Sequence, residues 1–477
     1  MASSQPSGPA AEPLAPSSLA SARRVHFVGI GGSGMSGLAR LLLQQGKAVS
    51  GSDVRATAAT AALEAAGARV FVGHRAEHVG AADLVVISAA VAVDNPEVAV
   101  ARDRGLPVLS HAEALGLLVA AGRGLAVAGT HGKTTTTALL GFLLDRAGRD
   151  PTVLAGSEMV NYGASVRLGR GPHVVVEADE YDRRFLRLAP RVAVVTSVEP
   201  DHLDYYHDLA EIRGAFEAFA GTLPADGLLL ACADDAQAPT LPTPARRLTY
   251  GLADADWRAE GLRPLPDGME FTAVGPTGAR ARVRLPLLGR HNVANALAAL
   301  AVAVHEGVPL DQAAAAVAAF RGTRRRFQPV GTVAGVTVVD DYAHHPTAVR
   351  VTLEAARAAR AASGAHGPLW VVFQPHTRNR TARLMDDFAA AFTAADGVVV
   401  TAIYEPVGRE REPIEVSGAD LAARIVGPPA TYLADLESAA DYLAARLPAG
   451  ALVLTMGAGD IDRLGPLLLD KLRARHE

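Results

Sequence analysis

Gly129-Thr130-His131-Gly132-Lys133-Thr134-Thr135 is the stretch whose residue types and spacing speak most directly of chemistry. It follows a short apolar run, Leu125 to Ala128, and precedes Leu139, Leu140, Leu143 and Leu144 at helical spacing. The pattern predicts a buried strand, a tight glycine turn and an amphipathic helix. Glycines there let backbone amides close around a phosphate chain, and the helix N-terminus adds partial positive charge. Lys133 would neutralise the β/γ-phosphates, and the Thr134 hydroxyl would hold Mg²⁺. The plainer alternative is a helix that merely starts with Gly and Thr as caps. The longer GxxxxGK[ST] form wants glycine where Val127 stands, so this is the shorter G-T-x-G-K-T version. ATP or GTP is the expected ligand.

Further candidate ligands follow downstream. The apolar run His173 to Glu177 ends in Glu177-Ala178-Asp179-Glu180-Tyr181-Asp182, and Val192 to Val198 ends in Glu199-Pro200-Asp201-His202-Leu203-Asp204. Ligands of open α/β sheets gather at the carboxyl ends of strands. Mg²⁺ wants hard oxygen ligands plus phosphate, which Thr134 and Glu177 can supply. His202 is a less usual Mg²⁺ ligand, and a capping or hydrogen-bonding role suits it as well. The segment from Leu288 to Asn295 (LGRHNVAN) opens an Ala/Leu-rich helix to about His305, which Asn292 can cap; Asn295 lies in its first turn.

A second glycine turn lies near the start. Arg24 to Gly37 reads as a strand, a turn and a helix carrying Leu38, Leu41 and Leu42. Gly29, Gly31 and Gly34 satisfy G-x-G-x-x-G, and Asp53 ends the next strand nineteen residues later. In that spacing the acid takes a ribose hydroxyl. Further strands are expected at Ala68 to Gly73, Asp83 to Val91 and Pro107 to Ser110, each followed by a helix. A Rossmann-like domain to about Gly122 would bind a diphosphate and a ribose; spacing does not say whether in NAD or another nucleotide conjugate. A turn used only for helix packing is the alternative.

The remaining elements must bring these groups together. Residues 224–286 are less regular, with alternation at Met269 to Val274 and Arg280 to Leu285 suggesting antiparallel strands. Arg324-Arg325-Arg326 marks a boundary, as a solvated patch or as a bridge to phosphate. Beyond it, Gly335 to Val339 ends in Asp340-Asp341-Tyr342-Ala343-His344-His345-Pro346, with a helix from Thr347. Leu369 to Phe373 ends in Gln374-Pro375-His376-Thr377-Arg378-Asn379-Arg380-Thr381. Val398 to Ile403 and Ala451 to Thr455 complete a parallel sheet. Both polar strand ends should line a cleft facing the phosphate loop, with cations for phosphoryl transfer and an acid or base near neutral pH.

At 477 residues there is room for about three domains, and 49% hydrophobic residues can build large cores. The lone Cys232 excludes an internal disulfide framework and a cysteine-rich zinc site. A net charge of −4 gives no reason to expect nucleic acid. No apolar run of about twenty residues exists to cross a membrane. Residues 1–22 are Ala/Pro/Ser-rich and read as a disordered tail, not a signal peptide. Only Lys47, Lys133 and Lys471 are lysines, which makes an incidental lysine in the phosphate loop improbable. A cytosolic enzyme fits all of this.

Taken in order, GIGGSGMSGLA, GTHGKTTT, EADEYD, EPDHLDYY, LGRHNVANALAA, RRRFQ, DDYAHHP and FQPHTRNRT resemble the Mur ligases of peptidoglycan synthesis. The resemblance runs from about Val25 to Gly459. It implies an α/β protein of three domains: a Rossmann-like UDP-substrate-binding domain (23–122), a central phosphate-loop ATP-binding domain (123–322) and a C-terminal Rossmann-like domain (323–477). It implies a reaction as well: the lactyl carboxylate of UDP-N-acetylmuramate attacks the γ-phosphate of ATP, and the amine of L-alanine then attacks the acyl phosphate. Lys133, Thr134 and Glu177 would hold Mg-ATP, with Mn²⁺ as a substitute metal and His202 as a second metal ligand. Gly129 to Thr135, Asn292, Asn295, Arg326 and Asp341 fall at ATP-contacting positions. Gly31, Gly32, Ser33, Gly34, Asp53, His74 and Ser88 would hold the UDP-sugar, so the first glycine turn serves UDP and not NAD. Tyr342, His344, His345, Arg378 and Arg380 would surround the amino acid and acyl phosphate, with Lys133, His344 and Arg380 catalytic.

Two departures from the family pattern stand out. Thr377 and Arg378 occupy positions where members often carry arginine and tyrosine, which leaves the role of Arg378 open. EADEYD also occurs in murein peptide ligase, which joins a recycled tripeptide to the same UDP-sugar and is the alternative reading. Siblings that add later residues use a carbamylated lysine in the ATP domain, and no lysine lies between Lys133 and Lys471. An NAD-linked oxidoreductase and a non-catalytic nucleotide-binding protein are the alternatives of another class. The expected chain is cytoplasmic, free of nucleic-acid and membrane partners, and a monomer or weak homodimer.

Overall fold

The computed structural model describes residues 17–92, 94–406 and 414–476. The chain divides into two compact units, Met1–Gly122 and Arg123–Glu477.

In the first unit β1 (Arg24–Val28), β2 (Ala48–Asp53), β3 (Arg69–Val72), β4 (Leu84–Ile87) and β5 (Val108–Ser110) form a parallel sheet in the order β3-β2-β1-β4-β5. The order reverses at β1, where the glycine turn leads into the helix Ser33–Gln44. Leu38, Leu41 and Leu42 of that helix are buried, as their spacing predicts. After β3 the connection is only a short 3₁₀ turn, Ala76–Val79, where a helix was expected. Residues 1–16 of the expected tail lie outside the described residues. Ser17–Ser21, also within it, is helical: Leu19 is buried, and Lys47 Nζ donates to the carbonyls of Ala20 (3.0 Å) and Ala22 (2.6 Å).

The second unit holds two sheets. The larger comprises β6 (Arg123–Ala128), β7 (Thr152–Met159), β8 (Ala164–Arg167), β9 (His173–Glu177), β10 (Val192–Val195), β11 (Leu228–Cys232), β12 (Arg246–Gly251), β13 (Trp257–Leu265), β14 (Gly268–Val274) and β15 (Arg280–Leu285). Their order is β15-β14-β13-β12-β11-β10-β6-β9-β7-β8, which sets β6 between β10 and β9 at the centre. The alternating patterns do become antiparallel strands, β14 against β13 and β15. The smaller sheet orders β16 (Gln328–Val333), β17 (Val336–Asp341), β18 (Leu369–Phe373), β19 (Gly397–Val400), β20 (Ala430–Tyr432) and β21 (Leu452–Met456) as β16-β17-β21-β18-β19-β20. It is parallel except for β16, which pairs antiparallel with β17.

The helix after the phosphate loop, Lys133–Arg146, corrects one expectation. It is not amphipathic, because every residue from Thr134 to Leu144 is buried. It lies in the core with the helices Arg290–His305 and Leu310–Val317, and Gly141 lets it approach Val153 of β7, where a Cβ would stand 2.5 Å from a valine methyl.

Candidate functional site

In the first unit the glycine turn sits at the carboxyl ends of β1, β2 and β4. Gly29 has φ +81°, and a Cβ there would lie 2.9 Å from that of Ser88. The Gly31 amide donates to Asp53 Oδ2 (2.9 Å), so the acid at the end of β2 is tied to the turn. Gly32 and the start of the helix at Ser33 follow, and a Cβ on Gly34 would meet the His111 ring at 2.8 Å. Behind this surface lies a group that sequence reasoning did not assign. The carboxylate of Glu97 is fully buried and accepts from Ser52 Oγ (2.5 Å), the Arg75 amide (3.1 Å) and His78 Nδ1 (2.9 Å), with His26 Nε2 at 3.3 Å. Burial alone would raise its pKa; the hydrogen bonds from His26, Ser52 and Arg75 outweigh that and hold it at about 2. Because Ser52 donates to Glu97, its oxygen accepts from His74 Nδ1 (2.9 Å). That makes His74 Nδ1 the donor in this contact. The only local signal was the Asn95-Pro96 helix start, with the Asn95 side chain accepting from the Glu97 amide.

In the second unit the phosphate loop joins β6 to its helix. Gly129 (φ +134°) and Gly132 (φ +79°) both need glycine: a Cβ would meet Thr196 Oγ1 at 2.0 Å and Asn295 Oδ1 at 2.4 Å. The loop is braced by neighbouring β10, since the Thr130 amide donates to Ser197 O (2.9 Å) and Thr196 Oγ1 donates to His131 O (2.5 Å). Lys133 Nζ donates to Gly129 O (2.5 Å) and Glu180 Oε1 (2.8 Å). Burial works against its ammonium, but Glu180 and Glu177 outweigh that and raise its pKa above the usual lysine value. Thr134 Oγ1 donates to Glu177 Oε1 (3.1 Å), while Thr135 is buried in the helix beside it. Burial pushes the Glu177 pKa up. Glu180 Oε2 is a buried oxygen without a hydrogen-bond partner. Hard oxygens of this kind beside a phosphate loop fit a Mg²⁺-type cation.

His202, expected at the metal, faces Glu180 Oε1 (3.5 Å) and Asp201 Oδ2 (3.9 Å). Asp201 in turn holds Arg380 of the smaller sheet, whose Nε and Nη2 donate to its Oδ1 at 3.0 and 2.7 Å. Burial would raise the Asp201 pKa, but the Arg380 guanidinium drives it well below the carboxylate range. Arg380 Nη1 continues to His376 Nδ1 (3.1 Å). A continuous polar path thus runs from Lys133 through Glu180 and His202–Asp201 to Arg380. Arg380, Asp201 and His202 line one cleft with Thr377 and Asn379. His202, Arg325, Phe327 and Thr377 all have positive φ (47° to 63°), backbone strain concentrated around this region.

His344 Nδ1 donates to the Tyr342 carbonyl (2.8 Å), leaving Nε2 as the acceptor, and burial drives its pKa well below 6.5. Tyr342 packs beneath both Arg325 (5.2 Å) and Arg326 (5.4 Å). Asp341 accepts from the amides of Phe327 and Ala343, both at 2.8 Å. His345 lies beside His131, their ring centroids 4.6 Å apart.

Two expected residues stand elsewhere. Arg378 points away from Arg380, donating to Val416 O (2.9 Å) and pairing with Glu405 (3.3 Å), because residues two apart on a helix do not share a face. Asn292 does not cap its helix: Gly289 holds that position, and Asn292 Nδ2 donates to Leu288 O (2.8 Å) while its Oδ1 accepts from Asn295. Glu180, Glu199 and Asp201 were visible only as members of acidic clusters; their partners lie 47 to 179 positions away along the chain.

A phosphate loop on a mostly parallel sheet, a nearby carboxylate pair and a second sheet contributing arginine and histidine define a nucleotide-dependent group-transfer enzyme of the α/β class. The family models agree in detail: Mur ligase family, catalytic domain, matches residues 24–123; Mur ligase middle domain matches 127–303; Mur ligase, glutamate ligase domain matches 325–459. The chain belongs to the Mur ligase family. It is 45% identical to a UDP-N-acetylmuramate–L-alanine ligase of Symbiobacterium thermophilum over 95% of each chain. Among solved structures it resembles the UDP-N-acetylmuramate-alanine ligase of Thermotoga maritima (TM-score 0.76, 30% identity, 95% of this chain and 99% of that one). It also resembles a murein peptide ligase of Psychrobacter arcticus (TM-score 0.69, 29% identity, 94% and 98%).

Proposed function

We propose that this protein joins L-alanine to the lactyl carboxylate of UDP-N-acetylmuramate, an ATP-dependent, ADP-forming step of peptidoglycan precursor synthesis. The carboxylate attacks the γ-phosphorus and ADP leaves. The amine of L-alanine adds to the resulting acyl phosphate, and the tetrahedral intermediate collapses with loss of phosphate and a proton. The single observation that carries the reading is the polar path that links Lys133 of the phosphate loop, through Glu180, His202 and Asp201, to a second buried cation, Arg380.

In this mechanism Lys133 exchanges Glu180 for the β/γ-phosphates, and the amides of residues 129–135 cradle them. Thr134 and Glu177 would hold Mg²⁺, which would supply neutralisation of phosphate charge, and His202 stands behind them through Glu180. Arg380, held rigidly by Asp201, stabilises the charge of the carboxylate and of the tetrahedral oxyanion. His344 is neutral at pH 7 and orients the incoming amine through Nε2. The neighbouring anionic acyl phosphate raises the basicity of His344, so it can take the proton released on attack. Tyr342 and His345 shape the amino-acid side, while Arg326, Asp341, Asn292 and Asn295 surround the nucleotide. Arg378 buttresses this region from outside. Gly31, Gly32, Ser33, Gly34, Asp53, His74 and Ser88 bind the UDP-sugar.

The functional parts are 23–122 for the UDP-sugar, 123–322 for ATP and 323–477 for closure over the reacting groups. No helix among the described residues is long and apolar enough to cross a membrane. The proposed enzyme works in the cytoplasm, where its nucleotide substrates are, as a monomer or weak homodimer. Phosphate release with Mg-ATP and UDP-N-acetylmuramate tests the reading, comparing L-alanine, L-Ala-γ-D-Glu-diaminopimelate and no acceptor. Turnover with alanine is expected. Turnover with the tripeptide alone would assign the chain to recycling instead.

A further inference from the structure

We propose that His131, Glu199 and His345 form a binding site for a divalent transition metal of the zinc class, distinct from the hard-cation site at Thr134 and Glu177. β6 and β10 are neighbouring parallel strands, with Ala128 opposite Val195, so the loops leaving their carboxyl ends run side by side. One loop carries His131 and the other Glu199. The third residue comes from the smaller sheet: His345 follows β17 and begins the helix Pro346–Ser363.

One donor atom from each residue lies within 4.8 Å of the others. His131 Nε2 is 3.5 Å and His345 Nδ1 3.9 Å from Glu199 Oε2. Ligands at the usual zinc distance of about 2.0–2.1 Å in a tetrahedral shell stand roughly 3.3 Å apart, so only small side-chain movements close the set. His131 Nε2 is buried and faces Glu199 Oε2 at 3.5 Å without forming a regular hydrogen bond.

The surroundings resemble the outer shell of a metal site. His345 Nε2 donates to the Pro200 carbonyl (3.1 Å), which fixes the tautomer with the Nδ1 lone pair available. That lone pair now accepts a long 3.3 Å bond from the Thr347 amide, which an ion would replace. Thr347 Oγ1 orients the Glu199 carboxylate from behind (2.7 Å). Burial lowers the His345 pKa to about 4. Burial would raise the Glu199 pKa, but His131, Thr347 and His345 together hold it at about 2. His131 and Glu199 are only partly buried, which leaves a side open for water or a phosphate oxygen. Two imidazoles and one carboxylate favour zinc or cobalt over Mg²⁺. A bound ion ties the phosphate loop to the smaller sheet.

Co²⁺ titration of the full-length, nucleotide-free protein in excess Mg²⁺, followed by visible absorption, tests this. The expected result is one Co²⁺ per chain with the strong bands of a four-coordinate ion, displaced by Zn²⁺. Glu199→Gln and His131→Asn, each with an unchanged circular dichroism spectrum, should weaken binding by about 10-fold or more, while Glu177→Gln should bind as the wild type does. No saturable binding, wild-type affinity in both Glu199→Gln and His131→Asn, or loss in Glu177→Gln would each overturn the proposal.

Discussion

Arg380 is nine-tenths buried, and its guanidinium is used on two edges, Nε and Nη2 on Asp201 and Nη1 on His376. A lysine has one charged nitrogen and cannot reproduce that fork. Arg380→Lys should therefore lower kcat by about 100-fold, the size typical of losing one transition-state charge donor, with a smaller change in the KM for ATP. Asp201→Asn should cost roughly 3–5 kcal/mol in urea unfolding, because it strands a buried cation. Arg380→Met in the Asp201→Asn background should recover part of that loss. If the two changes simply add, the pair is not coupled as described.

At the scale of elements, the glycines of the phosphate loop can be set against a glycine at the far end of the same helix. Gly132 combines φ +79° with an Asn295 oxygen 2.4 Å from where a Cβ would stand. Gly148, at the far end of the same helix, has φ +73° and open space around it. Gly148→Ala should cost only the left-handed backbone strain, about 1 kcal/mol. Gly132→Ala should cost more and raise the KM for ATP by about 10-fold, while UDP-sugar binding, measured by calorimetry, stays unchanged. Equal effects of the two substitutions would mean that the Asn295 contact is unimportant. Both glycine turns were legible in the sequence because their spacing is local: Gly129 to Thr134 and Gly29 to Gly34 each fall between a short apolar run and a helix. The smaller sheet was legible through β17, β18, β19 and β21, each built on an apolar run, with polar ends directly after the first two. β20 was not, since its three residues are all half-buried and carry no alternation. The helix Lys133–Arg146 was misread because its threonines look polar in sequence yet are buried in the core. Glu97 could not have been assigned, because His26, Ser52 and His78 converge on it only when β1, β2 and the turn after β3 are assembled.

Across the whole molecule, Glu97, Glu199 and Asp201 share one electrostatic signature: each is held below its ordinary pKa by partners that exist only in the folded chain. A depressed folded pKa stabilises above the unfolded value, and that stabilisation is lost as pH falls through the folded one. For Glu97 and Glu199 the window runs from about 4.5 down to about 2. The unfolding temperature should hold near neutrality and fall steeply below about pH 4.5, and Glu97→Gln should flatten the fall in the unit that contains it. An unchanged slope would show that Glu97 is not ionised in the fold.

The account rests finally on the lactyl carboxylate becoming an acyl phosphate. UDP-N-acetylmuramate labelled with heavy oxygen in that carboxylate, turned over with Mg-ATP and L-alanine, reports on it directly. One labelled oxygen in each released phosphate is the predicted result, because the oxygen that attacks phosphorus departs with it. Unlabelled phosphate, with all the label retained in the product amide, would contradict the mechanism.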